Sequence, residues 1–166
     1  MDEPVPLDTL WDISITELDD ILCRAGVESM ESSAAATARD LDAQTREALV
    51  AALRASVSQA RAGAPPVAQW MSASESLLLG DDGSPAARQR ADAFWLRLTQ
   101  IVYGCLALVM LGDLSELPFF IELLRYQPAG HLAEMATDVL RRYVDPSHEM
   151  DTFLLLQRAE EWLACL

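Results

Sequence analysis

Residues 84–113, SPAARQRADAFWLRLTQIVYGCLALVMLGD, decide the fold class. Ser84 offers a side-chain oxygen to the open donors of a first helical turn. Pro85 suits the first helical position, where its missing N–H wastes no bond. From there Phe94, Trp95, Leu98, Ile101, Val102, Cys105, Leu106, Leu108 and Val109 recur at helical spacing and become nearly continuous in the second half. The pattern predicts a long helix from Pro85 to about Leu111, its second half buried on most sides, stopped by Leu111-Gly112-Asp113. The most apolar run, Ile101 to Leu111, has eleven residues between Arg97 and Asp113 and is too short on its own to span a bilayer.

Outward from this helix the chain continues in the same idiom. Downstream, helices are expected over about Ser115–Tyr126, Ala129–Val144 and Pro146–Cys165, punctuated by Pro128 and by Asp145-Pro146. Upstream, Gly80-Asp81-Asp82-Gly83-Ser84 is a loop, Val67 to Leu79 a short helix, and Gly63-Ala64-Pro65-Pro66 a hard stop after a helix over about Asp40–Arg61. Ser29 to Ala38 reads as a linker or a weak helix start. Ser14-Ile15-Thr16-Glu17 fits a capping box that opens a short helix ending near Gly26, with Leu7, Leu10, Trp11, Ile15, Leu18, Ile21 and Leu22 at three-to-four spacing. No segment alternates at period two for long enough to make a strand. The expected fold is all-α: a compact antiparallel bundle or short α-solenoid of about six to seven helices, with an acidic segment 1–33 ahead of a helical domain 34–166.

The stretch from Ala107 through Leu111-Gly112-Asp113-Leu114-Ser115-Glu116-Leu117-Pro118 to Ile121-Glu122-Leu123-Leu124-Arg125, continued by Glu134 to Arg142, resembles a HEAT-like repeat of the bacterial phycobilisome-lyase type. Such repeats show a helix ending in Leu-Gly-Asp, then Pro, then an apolar Leu-Leu helix. The resemblance covers about residues 88–165, with one full repeat matched. Because about three units are needed for a free-standing array, it implies that the N-terminal helices cap the stack. It further implies a scaffold that binds other proteins, and it brings no catalytic residues to carry over.

Composition narrows the function classes. The 166 residues carry 26 Asp+Glu against 12 Lys+Arg, a formal charge of −14, and every basic residue is Arg. Lys and Asn are both absent, as a GC-rich coding sequence would produce. The missing Lys excludes a P-loop Lys, a Schiff-base Lys and an SxxK pair. Scattered Arg in an acidic field make a poor phosphate footprint, so no nucleic-acid partner is expected. Residues 1–33 hold nine acids against the single base Arg24, a charge of −8 that leaves −6 for the other 133 residues. Cys23, Cys105 and Cys165 are far apart, odd in number and set in apolar stretches, which suggests buried thiols in a reducing cytoplasm. Met1-Asp2-Glu3-Pro4 has no basic n-region, which argues against a secretory signal. Neither a membrane partner nor a cofactor is expected.

Chemistry-bearing clusters are few. His131 and Glu134 share a helical face at i, i+3, but a metal site needs two or three further ligands. Asp145 and His148, with Glu149 and Asp151, read either as a cation site or acid–base pair, or as the acid-rich first turn of the last helix. Cys105 in an apolar helix is a poor nucleophile. No Gly-x-Ser-x-Gly elbow or phosphate loop occurs, and no catalytic or metal residue is assigned. The expectation is a non-catalytic interaction module for a basic protein, of the immunity, antitoxin or secretion-chaperone kind. The alternatives are an adaptor in a bacterial regulatory complex and, in a different class, a metal-dependent enzyme using His131/Glu134 or Asp145/His148. The partner-facing residues expected are Leu10, Trp11, Asp12, Glu17, Asp19 and Asp20 of the acidic helix and Phe120 of the Phe119-Phe120 pair.

Overall fold

A computed structural model describes residues 10–27, 35–127 and 130–165. Among them the chain is all-α, with seven helices: α1 (Ile15–Arg24), α2 (Ala43–Ala62), α3 (Trp70–Leu79), α4 (Pro85–Met110), α5 (Leu117–Tyr126), α6 (His131–Val144) and α7 (Thr152–Ala164). Single 3₁₀ turns at Ala38–Asp40, Val67–Gln69 and Leu114–Glu116 lead into α2, α3 and α5. The contacts group the chain into two compact units, one of Asp8–Leu114 and one built on Ser115–Leu166.

The first unit is organised by α4. Ser84 Oγ accepts from the Ala87 N–H at 3.1 Å, and Pro85 takes the first turn, as the sequence predicts. From Ile101 to Leu111 the helix is buried at every position except Tyr103. A cylinder that is apolar all round needs cover on more than one side, and α1 and α2 supply it. α2 runs antiparallel to α4: Arg54 reaches Asp113, Val57 meets Gly104, and Arg97 lies against Gly63. α1 runs the same way as α2, with the Trp11 N–H on the Met110 carbonyl at 3.1 Å and Arg24 on Tyr103. The Ser56 hydroxyl ties these two helices together by donating to the Ala25 carbonyl at 2.7 Å.

Two glycines make this packing possible. At Gly104 a Cβ would come within 2.4 Å of Val57 Cγ2, so only glycine lets α2 lie this close to α4. At Gly112 φ is +90°, and the Asp113 N–H bonds the Leu108 carbonyl at 2.9 Å while the Gly112 N–H bonds Val109 at 3.0 Å. That pair of bonds is a Schellman cap, which satisfies the last carbonyls of α4. α1 ends by the same device, Val27 bonding Leu22 and Gly26 bonding Cys23.

In the second unit α5, α6 and α7 all contact one another. α5 buries Leu117, Phe119, Phe120, Ile121, Leu123 and Leu124. α6 contributes Ala136, Val139, Leu140 and Tyr143, and α7 contributes Leu155 and Ala159. Tyr143 stacks on Trp162 with ring centroids 5.5 Å apart, and Arg125 pairs with Glu160 across α5 and α7.

Two expectations need correction. Only Cys105 is a buried thiol; Cys23 is exposed on the outward side of α1, and Cys165 is exposed at the C-cap of α7. The last helix begins at Thr152 rather than near Pro146, because Asp145 folds the intervening residues into a loop and Asp151 caps the helix, accepting from Leu154 N at 2.8 Å. The expected helix start at Ala129, and residues 1–9 and 28–33 of the acidic segment, lie outside the described residues.

Replacing Gly112 with Val should cost about 2 kcal/mol, because a β-branched residue resists the left-handed cap, and lower Tm by roughly 4–8 °C. Gly80→Ala, at φ −89°, should leave Tm within about 2 °C. Thermal unfolding followed by circular dichroism checks both, and an unchanged Gly112→Val would refute the cap.

Candidate functional site

The acidic helix α1 is a fixed part of the first unit. Ser14 Oγ accepts from the Glu17 N–H at 3.2 Å, which sets the start of the helix. An antiparallel bridge pins that start, with Ile15 N–H on the Ala36 carbonyl and Ala38 N–H on the Ile13 carbonyl. Leu18 and Leu22, one turn apart, are fully buried, flanked by buried Ile13 and Ala25. Burying two leucines holds a ten-residue helix that has too few turns to persist alone in water.

The opposite face is acidic and outward. On it Glu17 and Asp20 are exposed and Asp19 is half-buried, and Asp12 is exposed in the lead-in before the helix. Asp20 pairs with Arg24 at 3.3 Å in the open, a contact that contributes little to stability. Arg24 is turned back toward α4: its Nη1 donates to the Tyr103 hydroxyl at 3.0 Å and its Cζ sits 5.1 Å from the ring centroid. The Tyr103 hydroxyl, followed by Asp20, raises the pKa of this guanidinium above its ordinary value. The only base in the acidic segment is thereby engaged within the unit. Leu10 and Trp11 are half-buried at the lead-in to the helix, where Arg39 Nε reaches the Leu10 carbonyl at 3.4 Å.

The structure therefore brings together six of the seven expected residues, Leu10, Trp11, Asp12, Glu17, Asp19 and Asp20. Phe120 is not with them. It lies in α5 of the other unit at 0% exposure, edge-on to buried Phe119 at 5.2 Å, and offers a partner no surface. A helix buried on adjacent sides accommodates both rings inside.

The Asp145 cluster resolves into a structural knot. Asp145 is the one charged residue found buried among the described residues. Its carboxylate accepts from the Glu149 and Met150 N–H groups at 2.9 and 3.1 Å and pairs with Arg141 one turn back on α6. Burial pushes the carboxyl pKa up, but the two backbone donors and the Arg141 guanidinium outweigh it, and the net shift is downward. His148 is exposed at φ +58°, its backbone N–H on the Asp145 carbonyl and not its ring on the carboxylate. His131 and Glu134 are exposed on α6. Among the described residues no group of three or more His, Cys, Asp or Glu is placed to hold a metal ion.

Sequence reasoning missed a second exposed surface. Met71, Leu78 and Leu79 of α3 and Trp95 and Leu96 of α4 are exposed, Leu79 by 90% and Leu78 by 73%. The available signal was the Leu77-Leu78-Leu79 run before Gly80, too many apolar residues for one side of a helix. α4 is also, by length and composition, the helix among the described residues that is long and apolar enough to cross a membrane, since its 26 residues extend well beyond the Ile101–Leu111 run. Just over half of that apolar window is buried inside the protein.

No protein-family model, no curated protein and no solved structure matches the chain.

Because the folded state lowers the Asp145 pKa, its contribution to stability is complete above the ordinary carboxylate range near ~4 and is lost as pH falls through the depressed value. Asp145→Asn should lower Tm by several degrees at neutral pH, and the gap from wild type should close as the buffer is taken below about pH 4. A gap that stays constant with pH would show that the carboxylate's charge is not what matters.

Proposed function

We propose that this chain is a non-catalytic interaction module that binds a basic partner protein through the outward face of α1, in the manner of an immunity protein, antitoxin or secretion chaperone. The observation that carries the reading is the anchoring of α1. Leu18 and Leu22 are buried in the protein's own core, and Glu17 and Asp20 are presented outward on an already ordered helix, with exposed Asp12 just ahead of it. A preformed row of carboxylates attracts a cationic surface without first losing chain entropy, and it speeds encounter through its field. The charge of −8 over residues 1–33 concentrates that field at one end of the sequence.

The HEAT-like resemblance agrees with a binding role. Its Leu111-Gly112-Asp113 turn coincides with the Schellman cap, and α5 and α6, where the repeat's helices would lie, pack on each other. The thiols of Cys23, Cys105 and Cys165, none of them in a disulfide, suit a reducing cytoplasm. Engagement of the Asp145 carboxylate by Arg141 and two backbone donors weighs against the acid–base reading of Asp145/His148.

The test is affinity capture with the full chain, followed by titration of the recovered partner at two salt concentrations. Affinity should fall at least ~10-fold between about 50 and about 300 mM salt, and Asp12→Asn with Glu17→Gln should weaken binding several-fold at the lower salt. If no protein is recovered, or if its affinity ignores both salt and the two substitutions, the reading is wrong.

A further inference from the structure

The exposed apolar residues of α3 and α4 are not scattered. A five-residue loop, 80–84, joins the two helices, which contact each other as a helical hairpin. The loop is held by its own side chains, with Asp81 accepting from Gly83 N and Asp82 from Ser84 N, each at 2.9 Å. In α3, Trp70, Ser74 and Leu77 mark the inward line, while Met71 and Leu78, seven residues apart, share one outer flank. In α4, Ala87, Ala91, Phe94 and Leu98 mark the inward line, and Trp95 lies one helical step beyond it. In two antiparallel helices that face each other, positions one step past the inward line fall on the same side of the pair. By that helical geometry Met71, Leu78 and Trp95 fall on one side of the hairpin, with Leu79 and Leu96 toward its outer face.

Charge says what covers this strip. Residues 63–97 carry Glu75, Asp81, Asp82 and Asp92 against Arg88, Arg90 and Arg97, a net charge of −1 in a chain of −14. The basic partner proposed above is drawn to α1 and finds little field here. A lipid surface would have to accept four carboxylates beside the apolar strip. A second copy meets little repulsion at this place. A two-fold pairing that sets α3 of one copy on α4 of the other brings Glu75 on the α3 flank toward Arg88 on the α4 flank, a complementary pair. The amount of surface also fits. Five large side chains exposed by 48–90% reach the upper part of the ~300–600 Å² found on monomers, and a polar rim brings such a face toward the ~800 Å² per partner of a stable interface.

We propose that this chain forms a two-fold homodimer through the outer face of the α3–α4 hairpin, centred on Met71, Leu78 and Trp95. The interface is distinct from the acidic face of α1 and responds to salt in the opposite sense. Screening the net negative charge of two copies leaves the dimer intact or tightens it, whereas the same salt weakens a complex with a basic protein.

Sedimentation velocity of the full chain up to ~100 µM tests the proposal. Wild type should run at twice the 18.2 kDa chain mass, and added salt should not dissociate it. Leu78→Glu should weaken the dimer at least ~100-fold while keeping the helical circular dichroism, since the side chain is 73% exposed. Met71→Glu is the second variant on the strip, should Leu78→Glu fail to fold. Phe153→Glu, equally exposed but on α7, should leave the dimer unchanged. A monomeric wild type at the top concentration, or a dimer that survives Leu78→Glu and Met71→Glu, overturns the proposal. Binding of neutral or anionic vesicles by a monomeric chain through the same residues overturns it in favour of a lipid surface. None of these results bears on the salt-sensitive capture experiment, so the two readings fail separately.

Discussion

The first unit depends on a single constraint, which is that the half of α4 from Ile101 to Leu111 is apolar around almost its whole circumference. A helix of that kind cannot lie on a surface; it has to be enclosed. α2 comes close enough at Gly104 that the Val57 side chain takes the place of a Cβ, and α1 takes the adjoining side with Leu18 and Leu22. Both helices are then clamped at the far end, α2 by Arg54, whose Nε and Nη2 both reach Asp113 Oδ2 at 2.9 and 2.8 Å, and the lead to α1 by the Trp11 bond to Met110. The outward direction of the acidic face is a consequence of this demand. Once Leu18 and Leu22 are used to cover α4, the helical period leaves Glu17 and Asp20 no direction but solvent.

How much of this could be read from the sequence depends on where the governing interaction is local. Ser14, Ser84 and Gly112 act within one or two turns of themselves, and the helix starts and stops they set are where the pattern puts them. The buried half of α4 was legible because nine apolar residues leave no polar side for solvent. The start of α7 was not legible. Pro146, His148 and Glu149 make a plausible first turn in isolation, but the Asp145 carboxylate captures the Glu149 and Met150 N–H groups and draws the chain out of helix, so that Asp151 becomes the cap. Arg141 stabilises the buried Asp145 from the preceding helix, so Asp145 keeps these donors and the cap passes to Asp151.

The candidate site shows the same division. Spacing alone picked out the acidic face of α1, since i, i+4 leucines define its reverse. Phe120 was misplaced because adjacent residues on an isolated helix point apart, and only tertiary cover on both sides brings two neighbouring rings inside. The exposed strip on α3 and α4 was invisible for the converse reason. Leu78 and Trp95 look like core in a linear pattern, and only the placement of Trp70, Phe94 and Leu98 on the inner line shows them to be left over. The molecule thus carries two surfaces of different physical character, one charged and held by buried leucines, the other nearly neutral and apolar. Their separation is what lets charge and hydrophobic contact be addressed independently.

The acidic helix is built into the first unit and does not wait as a loose arm. Amide hydrogen exchange measures this directly. The amides of Leu18 to Leu22 should exchange as slowly as those of α2 around Leu53 and Val57, and far more slowly than the loop at 80–84. If α1 exchanges at the rate of that loop while α4 stays protected, the helix is not held by its leucines and the account of the acidic face is wrong.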